Sequence, residues 1–162
     1  IIKVDTIQTA AGGTPTAAGL GLNTTGSVLQ VVQGTPLTSS TSLNNSSYAS
    51  IMSVTITPTA SSSSFFIMFS GIVDSIGDSY WDARYAKTVG GTTTTIFDVW
   101  ASTALNFGSA NQHGVGYAMN YLDSPNTTSE IVYKLEARDR GSSNVNFAAT
   151  GKCTFTVMEI AG

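Results

Sequence analysis

Asp74, Asp78 and Asp82 stand four residues apart in "DSIGDSYWD" (74–82), and closely spaced acids on a loop are the oxygen donors a hard cation takes. Their order lacks the D-x-[DN]-x-[DN]-G of a calcium loop, which favours turn-forming, solvated acids over a metal site. His113, the single histidine, lies in the turn-like "NQHGVG" (111–116). One histidine supplies neither a zinc ligand set nor a base with a neighbouring nucleophile. "GKC" (151–153) is no phosphate loop, because the position of that motif's first Gly holds Asn146. Glycoside hydrolysis needs two acids held at a set separation in one cleft, and the ten acids are spread along the chain. No catalytic set, metal or cofactor is therefore expected. Recognition is better served. "SYWDARY" (79–85) puts Tyr80, Asp82 and Arg84 on one face of a strand, an aromatic platform beside hydrogen-bonding groups of the kind sugar-binding surfaces use. Trp81 and Tyr85 fall on the opposite face and read as core, as does Trp100.

The elements that must position these residues are strands. At 162 residues the chain suits one domain able to bury a core without staples. Only 10% of residues are charged, against about 25% in ordinary globular domains. Ser, Thr, Gly and Asn replace the charges, a mixture poor for helices and good for strands and turns. Cys153 is alone, excludes an internal disulfide, and reads as a small buried hydrophobe. A net charge of −3, with seven scattered basic residues, argues against nucleic acid. No apolar run is long enough for a membrane helix. A start at Ile1 rather than Met suggests a processed protein or an excerpt from a longer one.

Residues 1–27 hold five glycines, Pro15 and few large apolar side chains, and are expected to be an extended linker or stalk arm. From 28 to 162 short β runs alternate with turn clusters. These are "VLQVVQ" (28–33), "IMSVTIT" (51–57), "FFIMFSGIV" (65–73), "SYWDARYAKTV" (79–89), "IFDVWAS" (96–102), "VGYAMNYL" (115–122), "EIVYKLEAR" (130–138) and "KCTFTVMEI" (152–160). The third is apolar on both faces and reads as a central strand covered on both sides. About eight strands without a helical period predict an all-β antiparallel sandwich or jelly roll. In "LDSPNTTSE" (122–130), Pro125 limits the backbone, while Asp123, Asn126 and the hydroxyls are expected to satisfy local amides.

"GDSY" (77–80) resembles the Gly-Asp-Ser-Leu block of one esterase family, but that family needs helices and an Asp three residues before its His, where Ala110 stands. A more extended resemblance is carried by "GSVLQVVQGT" (26–35), "IMSVTITPTASSSSFFIMFSG" (51–71), "YLDSPNTTSEIVYKLEARDRG" (121–141) and the ending "FTVMEIAG" (155–162). In that order they resemble a β-rich, receptor-binding-type module in tail fibres of tailed bacteriophages, of the marine and cyanobacterial virus type. Residues 80–114 match its strand rhythm but no motif of it.

The resemblance implies a virion appendage with no catalytic motif and a homo-oligomer, a trimer by analogy. The N-terminal arm would meet other virion proteins, and the head or tip domain would meet a host cell-surface glycan or protein. Loops 74–82, 90–95 and 106–114 then become the expected contact region, with Tyr80, Asp82, Arg84, Asn111 and His113 as receptor-binding candidates. A capsid decoration or other surface-coat protein is the alternative, and a polysaccharide-degrading enzyme a more remote one.

Overall fold

The computed structural model describes residues 13, 24–44, 46–75, 77–79, 81–99, 105–107, 113–140, 145–148 and 151–162. Every regular element in them is a strand. In chain order these are β1 (Val28–Gln33), β2 (Thr41–Leu43), β3 (Ala49–Ile56), β4 (Ser64–Ser75), β5 (Gly77–Ser79), β6 (Trp81–Val89), β7 (Thr92–Val99), β8 (Leu105–Phe107), β9 (His113–Asp123), β10 (Ile131–Asp139), β11 (Val145–Phe147) and β12 (Thr154–Ile160).

Two antiparallel sheets pack as a sandwich. One holds β1, β12, β4, β11, β2 and β9, and the other runs β3-β10-β6-β7. β11 and β12 follow one another along the same side of β4, with β9 on its other side. β1 and β2 in turn flank β12 and β11, joined in line by the Leu37–Cys153 bridge. Taking each in-line pair as one strand and setting aside the small β5–β8 ribbon leaves eight strand positions in chain order. The sheets then read 1-8-3-6 and 2-7-4-5, which is the connectivity of a jelly roll.

Alternation explains the core. Phe65, Ile67, Phe69 and Val73 of β4 and Phe155 and Val157 of β12 point inward from one sheet. Trp81, Ala83, Tyr85, Ile131, Tyr133 and Leu135 answer them from the other. Aromatic rings meet across the gap: Phe65 on Tyr133 at 5.7 Å between centroids, Tyr85 on Phe155 at 5.7 Å, and Trp81 edge-on to both Tyr117 and Phe147 at 4.9 and 5.6 Å. The core placement of Trp81 and Cys153 is thereby observed, while Trp100 and residues 1–12 and 14–23 of the arm lie outside the described residues.

The structure departs from the sequence reading in three places. β4 is central within its sheet, but that sheet is an outer layer, so Phe66, Met68 and Ile72 are only half-buried rather than covered. The expected loop 90–95, "GGTTTT", is not a loop as a whole: Gly90 and Gly91 make the turn, at φ +55° and +81°, and Thr92 already pairs with Val89. Two residues of positive φ are what a tight hairpin with the right twist requires. Four three-residue strands, β2, β5, β8 and β11, also escape periodicity, because such runs are shorter than the window in which alternation is visible.

Candidate binding surface

The outward face of the four-stranded sheet carries a charge cluster. Cross-strand register sets Glu136, Arg84 and Asp98 in one row across β10, β6 and β7, with Arg138 opposite Asp82 in the next. Arg84 Nε donates to Glu136 Oε2 at 2.7 Å. Arg138 grips Asp82 Oδ2 through Nε at 2.8 Å and Nη2 at 2.7 Å, and Arg140 Nη1 faces Oδ1 at 3.5 Å. Tyr48, just before β3, lies beneath both guanidinium groups, 3.8 Å from Arg84 and 4.7 Å from Arg138. Its hydroxyl donates to Asp98 Oδ1 at 3.3 Å.

Burial, then the Asp98 charge, pushes the Tyr48 phenol above its ordinary range, so it remains a neutral donor. The hydrogen bond to Asp82 likewise raises Arg138. Asp82 is not the solvated acid its sequence context suggests, for it is 1% exposed. Two arginines reach over it from β10 and the residue beyond, neighbours that "SYWDARY" does not contain. The cluster presents an arginine–tyrosine stack whose charges are already matched. It can offer cation–π and hydrogen-bonding surface, and it holds no activated nucleophile.

The candidates named from sequence divide. Asp82 and Arg84 join this outward face. The His113 backbone pairs with Ser75 at the start of β9, in the other sheet. Tyr80 and Asn111 lie outside the described residues. The three expected loops also change character, since 74–75, 77–79, 81–82, 92–95, 106–107 and 113–114 are strand. The hairpin at 90–91 sits at the opposite end of the sheets from Ser75, His113 and Trp81.

Two acids matter more than the sequence suggests. Asp123 closes β9 and receives Lys87 Nζ at 3.0 and 2.9 Å and the Tyr133 hydroxyl at 2.8 Å, instead of capping local amides. In the rest of that connection Thr127 Oγ1 accepts from the Ser129 amide as expected, whereas Asn126, at φ +53°, donates to the Ser124 carbonyl instead of accepting from an amide. Glu159 is fully buried and receives the Thr59 amide and hydroxyl at 2.7 and 2.6 Å and Gln30 Nε2 at 2.5 Å. The regular alternation of "TFTVMEI", with Glu on the inward face, was the available signal. A carboxylate there needs several donors.

Among the described residues no three of His, Cys, Asp and Glu come together to hold a metal. Asp74 and Asp82 sit on strands of different sheets. A shallow depression of about 380 Å³, lined by Thr35, Leu37 and Ser50–Ser53, contains no ionisable side chain.

Fold and surface together define a jelly-roll β-sandwich that pairs Arg84 with Glu136, Lys87 with Asp123, and Arg138 and Arg140 with Asp82. No family model matches the chain, and no curated protein does. Among solved structures it is similar to the infectious bursal disease virus Gx strain structure, at 9% identity and a TM-score of 0.39, over 82% of this chain and 36% of that one. The VP2 subviral particle of infectious bursal disease virus gives 12% identity and a TM-score of 0.37, over 82% and 37%. Dimeric latent PorU from Porphyromonas gingivalis gives 10% and 0.26, over 85% and 14%. The chain thus spans little more than a third of the bursal disease virus chains, and these are likenesses of shape alone.

Proposed function

We propose that this chain is a non-enzymatic structural module of a virion surface, of the coat or decoration type. The observation that carries this reading is the 1-8-3-6/2-7-4-5 strand order, since jelly rolls recur in viral capsid and lectin domains. Fold alone leaves function open. What narrows it is the use of the ionic groups: Asp82, Asp123, Glu136 and Glu159 are held by Arg, Lys, Thr, Tyr and Gln partners, in a clasp, a buried anchor and a surface ladder. None of the four is paired with another acid across a cleft. Antibodies raised against the purified chain and imaged on virus particles test the reading. Regular labelling over the shell supports it, and unlabelled particles overturn it.

A second reading is the receptor-binding head of a tail fibre, favoured by the ordered resemblance of 26–35, 51–71, 121–141 and 155–162 to that module. The Tyr48–Arg84–Arg138 stack provides an aromatic and hydrogen-bonding surface suited to a host glycan. Binding at each copy would be weak, and several copies engaging together raise avidity by about 10²–10⁴. Labelling confined to a tail tip, with glycan binding lost in Tyr48→Ala, selects this reading over the first. Release of reducing sugar from host polysaccharide would contradict both.

A further inference from the structure

The two outward faces of the sandwich differ sharply. One carries the arginine and carboxylate ladder. On the other, where β1, β12, β4 and β9 run side by side, register places Val31, Met158, Phe66 and Leu122 in a single row across all four strands. Val28, Ile160 and Met68 flank that row. Val28, Val31 and Leu122 are 56%, 57% and 54% exposed. The positions sharing this face over residues 64–70 of β4 and their partners contain Ser, Thr, Asn, Gln and apolar residues and no charge.

A solvated sheet face is ordinarily polar. An apolar row across four strands, framed by uncharged hydrogen-bonding residues, has the make-up of an interface core with a polar rim. Its charge balance identifies the occupant. In a symmetric contact each side chain near the axis meets its own kind, so a charged face repels its copy whereas a neutral one does not. With strands about 4.8 Å apart and about 3.4 Å per residue, four strands by seven residues give a footprint of roughly 400 Å². That is about half of the roughly 800 Å² each partner buries in a standard interface, enough for its centre.

We propose that this face is the contact between copies of this chain, with Val31, Phe66, Met158 and Leu122 at its centre. The inference rests on reading the chain as an assembling structural module. Light scattering on the full chain after size exclusion tests it. The expected result is a discrete oligomer that Val31→Lys and Leu122→Lys each weaken by about thirtyfold or more, the effect of an interface hot spot. Circular dichroism should be unchanged, because both side chains are exposed, and Lys134→Glu on the opposite sheet should leave assembly intact. An oligomer that survives both lysines overturns the proposal in favour of another face. A monomeric chain overturns it too. There, maleimide reactivity of Leu122→Cys shows whether the face is bare or covered by another part of the same chain. If particle labelling persists in either case, the coat reading stands while this contact fails.

Discussion

The Tyr133 hydroxyl donates to Asp123 Oδ2 at 2.8 Å, and Lys87 Nζ lies 2.9 Å from the same oxygen. Asp123 ends β9 in one sheet, whereas Tyr133 and Lys87 belong to β10 and β6 of the other. The three side chains form a clasp across the sandwich, at the end where β9 passes into its polar connection to β10. Burial and the adjacent carboxylate push the Tyr133 phenol up, so it stays a donor throughout the neutral range.

Removing either side of this clasp should have unequal effects. Tyr133→Phe deletes one hydrogen bond and should cost about 0.5–1.5 kcal/mol. Asp123→Ala strands a half-buried ammonium and a buried hydroxyl together, and should cost about 2–4 kcal/mol. Urea unfolding followed by fluorescence measures both. Equal losses would show that Lys87 takes no part.

Gly71 is fixed by the neighbouring strand. A Cβ there would stand 2.4 Å from Cys153 Sγ, 2.8 Å from its Cβ and 2.9 Å from its Cα. Gly71→Ala should therefore destabilise by about 1–3 kcal/mol or more through overpacking. Cys153→Ala removes the sulfur but neither carbon, so the double variant should recover little of the loss. Full recovery of the melting temperature would mean that the strands can move apart.

These contacts mark the boundary of what the sequence makes legible. The register of "IVYKLEAR" places Ile131, Tyr133, Leu135 and Ala137 inward, and all four are buried. Period-two alternation reports which face of a strand is covered, so the sandwich, its core and Trp81 are readable from one chain. Partners across strands are not. Asp82 looks solvated in "SYWDARY" because Arg138 and Arg140 stand more than fifty residues away and arrive only through β10. The same holds for Asp123 and Lys87, 36 residues apart. Side-chain alternation also cannot tell a strand covered on both faces from one whose outer face is apolar but only half-buried, which is why β4 misleads.

The Gly90–Gly91 turn makes a further prediction. With φ at +55° and +81°, both positions occupy the left-handed region, which costs a residue with a Cβ roughly 1–2 kcal/mol. Nothing lies within 4 Å of a Cβ built at either position, so the effect should be purely conformational. Gly90→Val should lower stability by about that amount, and Gly90→Asn, which tolerates positive φ, should lower it less. Identical melting temperatures for the two variants would indicate that the hairpin adopts a different turn.

Acid should release the Glu159 anchor. Burial alone would raise its carboxyl, but hydrogen bonds from Thr59 and Gln30 outweigh that and hold it below the ordinary carboxylate range. A group whose folded pKa is depressed contributes stability that is present above its unfolded pKa, about 4.3 for Glu. That contribution is lost as pH falls through the folded value. Because Thr59 lies in the β3–β4 connection and Gln30 on β1, protonation loosens both from β12. Glu159→Gln should lower stability at pH 7 by about 1–3 kcal/mol, because an amide cannot accept the same set of donors. It should also flatten the acid limb, so that wild type and variant converge as pH drops below about 4. Parallel stability curves for the two proteins across that window would place the acid-sensitive group elsewhere.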